Sequence, residues 1–188
     1  MRTLTKIACT SILSILCLSS CKTEKQKEVL EKPNIIYIMA DDLTTQAISA
    51  YGGIYKDLAP TPNIDKVAKG GMLFQDVLVI NSICGPSRAA ILTGNYSNIN
   101  GYYKNESGGK FDASQWTFPQ EFQKNGYKTG LFGKWHLGTE PVGFDSFKYH
   151  NSAGQQGHYW NPVYNDNGND VKETGYVTNL STNFALSW

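Results

Sequence analysis

Apolar and polar residues fall in blocks along this chain. Arg2 and Lys6 precede an apolar run from Ile7 to Leu18, a charged stretch follows to Lys32, and residues 34–40, "NIIYIMA", are almost continuously apolar. A run without alternation predicts a parallel strand buried on both faces. It ends on Asp41-Asp42. Carboxyl ends of strands line the ligand crevice of open α/β sheets, although adjacent acids also suit an ordinary solvated turn. Thr61-Pro62 reads as an N-cap with proline at the first helical position, Gly70-Gly71 closes that helix, and residues 72–80 form a second predicted strand. In "ICGPSRAAILTG", Pro86 suits a first turn, Ala89-Ala90-Ile91-Leu92 propagates it, and Gly94 can take the left-handed cap. Cys84 therefore stands at or just before a helix N-terminus.

A further helix is predicted over Phe118–Lys124, capped by Thr117 and stopped by Gly126, then a strand over Tyr127–Phe132 that leads into "GKWHLG", Gly133–Gly138. The alternation of strands and helices predicts an α/β fold with a mixed, largely parallel sheet flanked by helices. Residues 144–170 are rich in Gly, Asn, Tyr and Trp without periodicity and read as a long substrate-side loop. Leu180, Phe184 and Trp188 recur at helical spacing after Thr178 or Ser181 as caps. With no terminating glycine or following strand, that helix reads as part of a domain cut short.

Composition changes this picture at the N-terminus. Residues 1–20 have the basic start, apolar run and Leu-Ser-Ser-Cys ending of a lipoprotein signal, with an apolar run too short to cross a bilayer. Cys21 is then the lipidated residue and 21–32 a solvated tether, so the mature protein is expected to be exported and lipid-anchored to a bacterial envelope, in the periplasm or at the outer membrane. Without Arg2 and Lys6 the 17 basic residues fall to 15 against 16 acidic ones, which gives no electrostatic case for a nucleic-acid partner. Cys9 and Cys17 leave with the signal and Cys21 carries lipid, so Cys84 is alone and no disulfide framework is expected.

A lone thiol in an oxidising compartment is a liability unless buried or used. Exposed N–H groups at a helix start favour an anion beside Cys84, and Arg88 one turn on adds a guanidinium suited to tetrahedral oxyanions. A thiolate nucleophile could use the same field. The hard carboxylates of Asp41 and Asp42 favour Ca2+ or Mg2+ and are poor company for soft sulfur. His150 and His158 are candidate substrate contacts in the loop region; Trp135 and Trp160 suit packing or sugar stacking. Asp166-Asn167-Gly168 reads as a turn and not as a metal-binding pair.

Cys84-Gly85-Pro86-Ser87-Arg88, continued by "AAILTG", resembles the sulfatase signature C-x-P-S-R. "PNIIYIMADD" is similar to that family's first strand and metal-binding acids, "GKWHLG" to its second signature, and "GYVTNLSTNFA" to the helix region beyond. The resemblance implies the alkaline-phosphatase-like superfamily, with residues 33–188 as the N-terminal part of the catalytic domain. It implies that a formylglycine-generating maturation enzyme converts Cys84 to formylglycine, whose hydrate supplies the nucleophilic oxygen. Asp41, Asp42 and modified Cys84 then bind Ca2+, Arg88 holds the hydrate, Lys134 binds the sulfate or the hydrate, and His136 is the base that releases sulfate. The family's later Asp-Asn pair, and its later His and Lys, are not in this chain, so the metal site is expected to be short of ligands.

The implied reaction is sulfuric ester hydrolysis on a sulfated glycan. "GFDSFKYHNSAGQQGHYWNP" resembles a bacterial subgroup that removes 6-O-sulfate from N-acetylglucosamine. The competing reading is an inactive, sulfatase-like surface lipoprotein that only binds glycan. A metal-dependent phosphatase of the same superfamily is disfavoured because those folds usually place Ser or Thr where Cys84 stands.

Overall fold

The computed structural model describes residues 32–105 and 109–188; the predicted signal, Cys21 and the tether up to residue 31 lie outside them. The chain divides into two units, Met1–Ala40 and Asp41–Trp188. In the first, residues 32–40 form no strand, and Ile36 and Ile38 are 85% and 87% exposed. The strand predicted over 34–40 is thus not formed. An apolar run specifies burial between two layers and beside neighbouring strands, and the described residues of this unit supply neither.

In the second unit, two 3-10 turns, Thr45–Ala47 and Ser49–Tyr51, precede α1 (Pro62–Gly70). Pro62 sets the first turn as expected, but Thr61 makes no side-chain cap. Its hydroxyl instead accepts from the Ser49 N–H at 3.0 Å, while Asp65 accepts from Ser49 Oγ at 2.8 Å and the Ala50 N–H at 2.9 Å. The strand predicted over 72–80 is also absent, with Leu78 98% exposed, for want of a ladder partner among the described residues.

Helix α2 (Cys84–Thr93) ends as its sequence requires: Gly94 adopts φ 66° and its N–H reaches the Ala90 carbonyl. A short helix α3 (Ser97–Asn100) follows, then α4 (Phe118–Lys124), started by a capping box between Thr117 and Gln120. The sheet contains β1 (Gly130–Gly133), β2 (Ser146–His150), β3 (Val163–Asp166) and β4 (Asn169–Lys172), in that order. Strands β1 and β2 are parallel; β2–β3 and β3–β4 are antiparallel. The α/β class with a mixed sheet holds, its parallel pairing confined to β1–β2 among the described residues.

The long loop predicted over 144–170 is corrected by these strands. Each spans only four or five residues, too few to register as alternation, and the buried positions are Tyr149, His150, Tyr164 and Asn165. Asn167 and Gly168, at φ 48° and 93°, make the two-residue turn joining β3 to β4.

Helix α5 (Val177–Ser187) starts after Tyr176, not after Thr178 or Ser181. Phe184 meets Tyr164 edge-on at 5.2 Å, and Trp188 lies 5.9 Å from Phe132 on β1. Ala89, Leu92, Tyr102, Phe111, Trp135, Leu137 and Tyr149 form the buried core, which fixes α2 against the Gly133–Gly138 segment. No helix among the described residues is long and apolar enough to cross a membrane.

Asp145 closes the approach to β2. Its carboxylate accepts from the Thr129 N–H at 2.8 Å and the Thr129 hydroxyl at 3.0 Å. Those bonds, that to the backbone N–H foremost, together with side-chain hydrogen bonds from Gln123 and Lys128, bring its pKa from 3.8 down to about 2. A depressed carboxylate contributes stability above its unfolded pKa and loses it as pH falls through the folded value. Asp145→Ala should therefore lower Tm near neutrality, and the gap to wild type should close between pH 3.8 and about 2 in thermal melts.

Candidate active site

Three segments far apart in sequence meet at the start of α2. Cys84 opens that helix, and Ile83 before it provides no side-chain cap. The Gly85 N–H instead donates to Asn105 Oδ1 at 2.9 Å. Residue 85 must be glycine here, because a Cβ would lie 2.7 Å from both Asn105 Oδ1 and Tyr102 and 3.1 Å from the His136 carbonyl. This close approach seats "GKWHLG" directly against the helix start.

Asp41 joins the pieces. Its Oδ2 accepts from Lys134 Nζ at 2.5 Å and lies 3.8 Å from Cys84 Sγ, while Oδ1 is 3.4 Å from Arg88 Nη2. Arg88 Nη1 also donates to the Lys134 carbonyl at 2.5 Å. Burial pushes the Asp41 carboxyl up, but the Lys134 ammonium and Arg88 guanidinium outweigh it, and the net shift is downward. Asp41 is thus held ionised beside two cations whose side chains are only 12% and 11% exposed.

Asp42, with φ 58°, completes a cluster in which one ligand atom each from Asp41, Asp42 and Cys84 lies within 4.8 Å of the others. Two hard carboxylates fit Ca2+ or Mg2+; the thiol fits only once oxygen replaces sulfur at its tip. Cys84 forms no disulfide among the described residues.

His136 follows one residue behind Trp135, which is 2% exposed and packs edge-on against Phe144 at 6.1 Å. Trp135 is therefore a core residue, not a sugar platform. His136 is itself buried, and Nδ1 has no hydrogen-bond partner among the described residues. Burial lowers its pKa, with Lys134 and Arg88 adding to the shift and Asp41 opposing it. A neutral imidazole next to an anion-binding pair can accept a proton. A cavity of about 540 Å3 opens beside it, lined by Tyr102, Asn105, Lys110, His136, Gln155 and Gln156.

The structure thus groups Asp41, Asp42, Cys84, Arg88, Lys134 and His136. It does not make His150 a substrate contact: at 9% exposure it packs edge-on against Tyr164, with ring centres 5.1 Å apart. His158 is exposed on the loop before β3 and lines no part of this cavity. Trp160, 67% exposed and 5.2 Å from Tyr176, stays available for stacking. Asp166 binds Lys148 at 3.2 Å at the hairpin turn. Sequence reasoning missed Asn105 and Gln155; neither has a local pattern, and only the quoted loop motif brought Gln155 into view.

Residues 33–188 match the family model described as Sulfatase. The chain is 43% identical over 176 residues to the N-acetylglucosamine-6-O-sulfatase of Bacteroides thetaiotaomicron, covering 94% of this chain and 30% of that protein. Arylsulfatase A of Homo sapiens is 40% identical over 119 residues, covering 61% of this chain and 23% of its own. A solved structure of a protein in complex with its substrate D-glucosamine-2-N,6-O-disulfate matches with a TM-score of 0.79 and 43% identity, over 84% of this chain and 31% of that one. The chain spans less than half the length of each of these relatives.

Protonation of His136 provides a check on this geometry. Its midpoint, followed by NMR of the ring, should lie below the ordinary value of 6.5, and Lys134→Met should move it upward by removing a nearby cation. A wild-type midpoint above 6.5 would contradict the burial and charge described here.

Proposed function

Because this chain belongs to the sulfatase family, we propose that the protein carrying it is a sulfuric ester hydrolase acting on a sulfated glycan. The observation that carries this reading is the convergence of Cys84, Arg88 and Lys134 on Asp41, with His136 alongside. The Lys134 ammonium and Arg88 guanidinium carry donors that match a tetrahedral anion, and a base stands within the same electrostatic field.

A maturation enzyme would oxidise Cys84 to formylglycine with an external oxidant, breaking the C–S bond and releasing the sulfur, and the hydrated aldehyde would then supply the attacking oxygen. Asp41, Asp42 and residue 84 would hold Ca2+, which would supply Lewis-acid polarisation of the sulfate oxygens. These residues provide fewer than the six to eight oxygens that calcium takes, so water or further groups complete the shell. Lys134 acts as a point charge on the sulfate. Arg88, fixed to the Lys134 carbonyl, orients the hydroxyls at residue 84. His136 accepts the proton of the second hydroxyl as sulfate departs, which restores the aldehyde.

N-acetylglucosamine 6-sulfate is the favoured substrate. The similarity to an enzyme named for that activity and the "AGQQGHYWNP" loop both support it. The lipoprotein signal ending at Cys21 supports an exported protein anchored at the bacterial envelope, where glycan fragments would arrive.

Peptide mass spectrometry on protein matured in a bacterial host should find the aldehyde at residue 84, and Cys84→Ala should abolish hydrolysis of N-acetylglucosamine 6-sulfate. His136→Ala should release the first equivalent of desulfated sugar in a burst and then turn over about 100-fold more slowly or worse. An active preparation holding only unmodified thiol would sink the mechanism. Binding of the sugar without turnover by matured protein would favour a glycan-binding surface protein instead.

A further inference from the structure

We infer that Gln155 is a positioning residue for His136, clamping the backbone just beyond the base. Its Oε1 accepts from the Leu137 N–H at 3.0 Å and the Gly138 N–H at 2.8 Å, and its Nε2 donates to the Thr139 carbonyl at 3.2 Å. One side chain thus satisfies three successive residues after His136. This inference rests on the reading of His136 as the base.

The clamp is needed because the segment it holds is unfavourable by itself. His136 has φ 57°, a left-handed conformation that is unfavourable for a residue with a side chain and persists only where surroundings over-determine it. In addition, the Phe111 N–H donates to the Leu137 carbonyl at 2.9 Å. Gly138, at φ 70°, abuts Gly109 so closely that a Cβ would lie 2.1 Å from its carbonyl oxygen. Residues 109–111 and Gln155 therefore both hold the segment.

Gln155 is itself specially placed. Ala153, Gly154 and Gln155 have φ values of 51°, 65° and 67°, three consecutive left-handed residues. The turn is closed by the Gln156 N–H to the Ala153 carbonyl at 3.2 Å and the Gly157 N–H to the Ser152 carbonyl at 3.0 Å. A Cβ at residue 157 would stand 2.7 Å from His150, so Gly157 is seated against that buried ring. Gln155 and Gln156 also line the cavity beside His136. The same turn therefore bounds the ligand space and sets the orientation of the base.

The test uses the matured, calcium-loaded protein that carries this chain, with N-acetylglucosamine 6-sulfate as substrate. Gln155→Ala removes all three bonds and should lower kcat about 30- to 100-fold, the scale set by misplacing a catalytic group by around 1 Å, with KM changed less than about threefold. It should show a burst of about one equivalent of desulfated sugar per matured site before the slow phase. Gln155→Glu keeps both acceptor contacts and should recover kcat to within about fivefold of wild type. It should also shift the acid limb of the pH–rate profile upward, because it places a carboxylate near His136.

A Gln155→Ala protein with unchanged kcat would overturn the inference. So would a burst amplitude that falls in proportion to kcat while Gln155→Glu fails equally, since that marks loss of folded protein. If His136→Ala itself gives no burst, the assignment of the base fails and the positioning role with it. A burst in His136→Ala but not in Gln155→Ala removes the positioning role alone.

Discussion

The Asp41 carboxylate lies between the Lys134 ammonium and the Arg88 guanidinium, and the geometry of the site depends on that arrangement. The three residues belong to the segment before the 3-10 turns, the segment after β1 and helix α2, so their attraction ties distant parts of the chain to one point. Exposed ion pairs contribute about 0–1 kcal/mol, whereas removing one member of a buried pair costs about 3–5 kcal/mol. Asp41 is about one-third exposed and its partners are nearly covered, so this cluster lies between those limits. With Asp42 beside Asp41, the two acids balance the two cations, so the positive charge that a sulfate needs would come with a bound divalent metal ion.

Packing serves the same arrangement. Gly85 lets the backbone at His136 approach the start of α2, and the aromatic core around Trp135 and Phe111 holds the two segments together. The helix start commits its N–H groups within the fold: Gly85 donates to Asn105 Oδ1, Pro86 has none to give, and Ser87 donates to the Ile83 carbonyl. Asn105 takes one of them from 20 residues away.

Local signals specify α2 and the start of α4, though not the caps expected at Thr61 and at Thr178 or Ser181. Pro86, the alanine pair and Gly94 define α2, and Thr117 with Gln120 defines the start of α4. The site acids and bases were legible as motifs for the same reason. Strands β2 to β4 were not, because short half-buried strands carry no periodicity that distinguishes them from loop. The runs over 34–40 and 72–80 failed for a different reason: apolarity encodes a demand for burial without specifying the partner that meets it. Asn105 and Gln155 were hidden because each acts on backbone about 20 residues away, which no spacing rule records.

The central claim, that these residues form a sulfate-ester site, is tested most directly by a crystal structure of the Cys84→Ser protein with calcium and N-acetylglucosamine 6-sulfate. The account predicts the sulfate facing residue 84, within hydrogen-bond distance of Lys134 Nζ, with His136 on the same side. A sulfate bound elsewhere, with the Lys134–Asp41 pair closed and no ligand at residue 84, would contradict it.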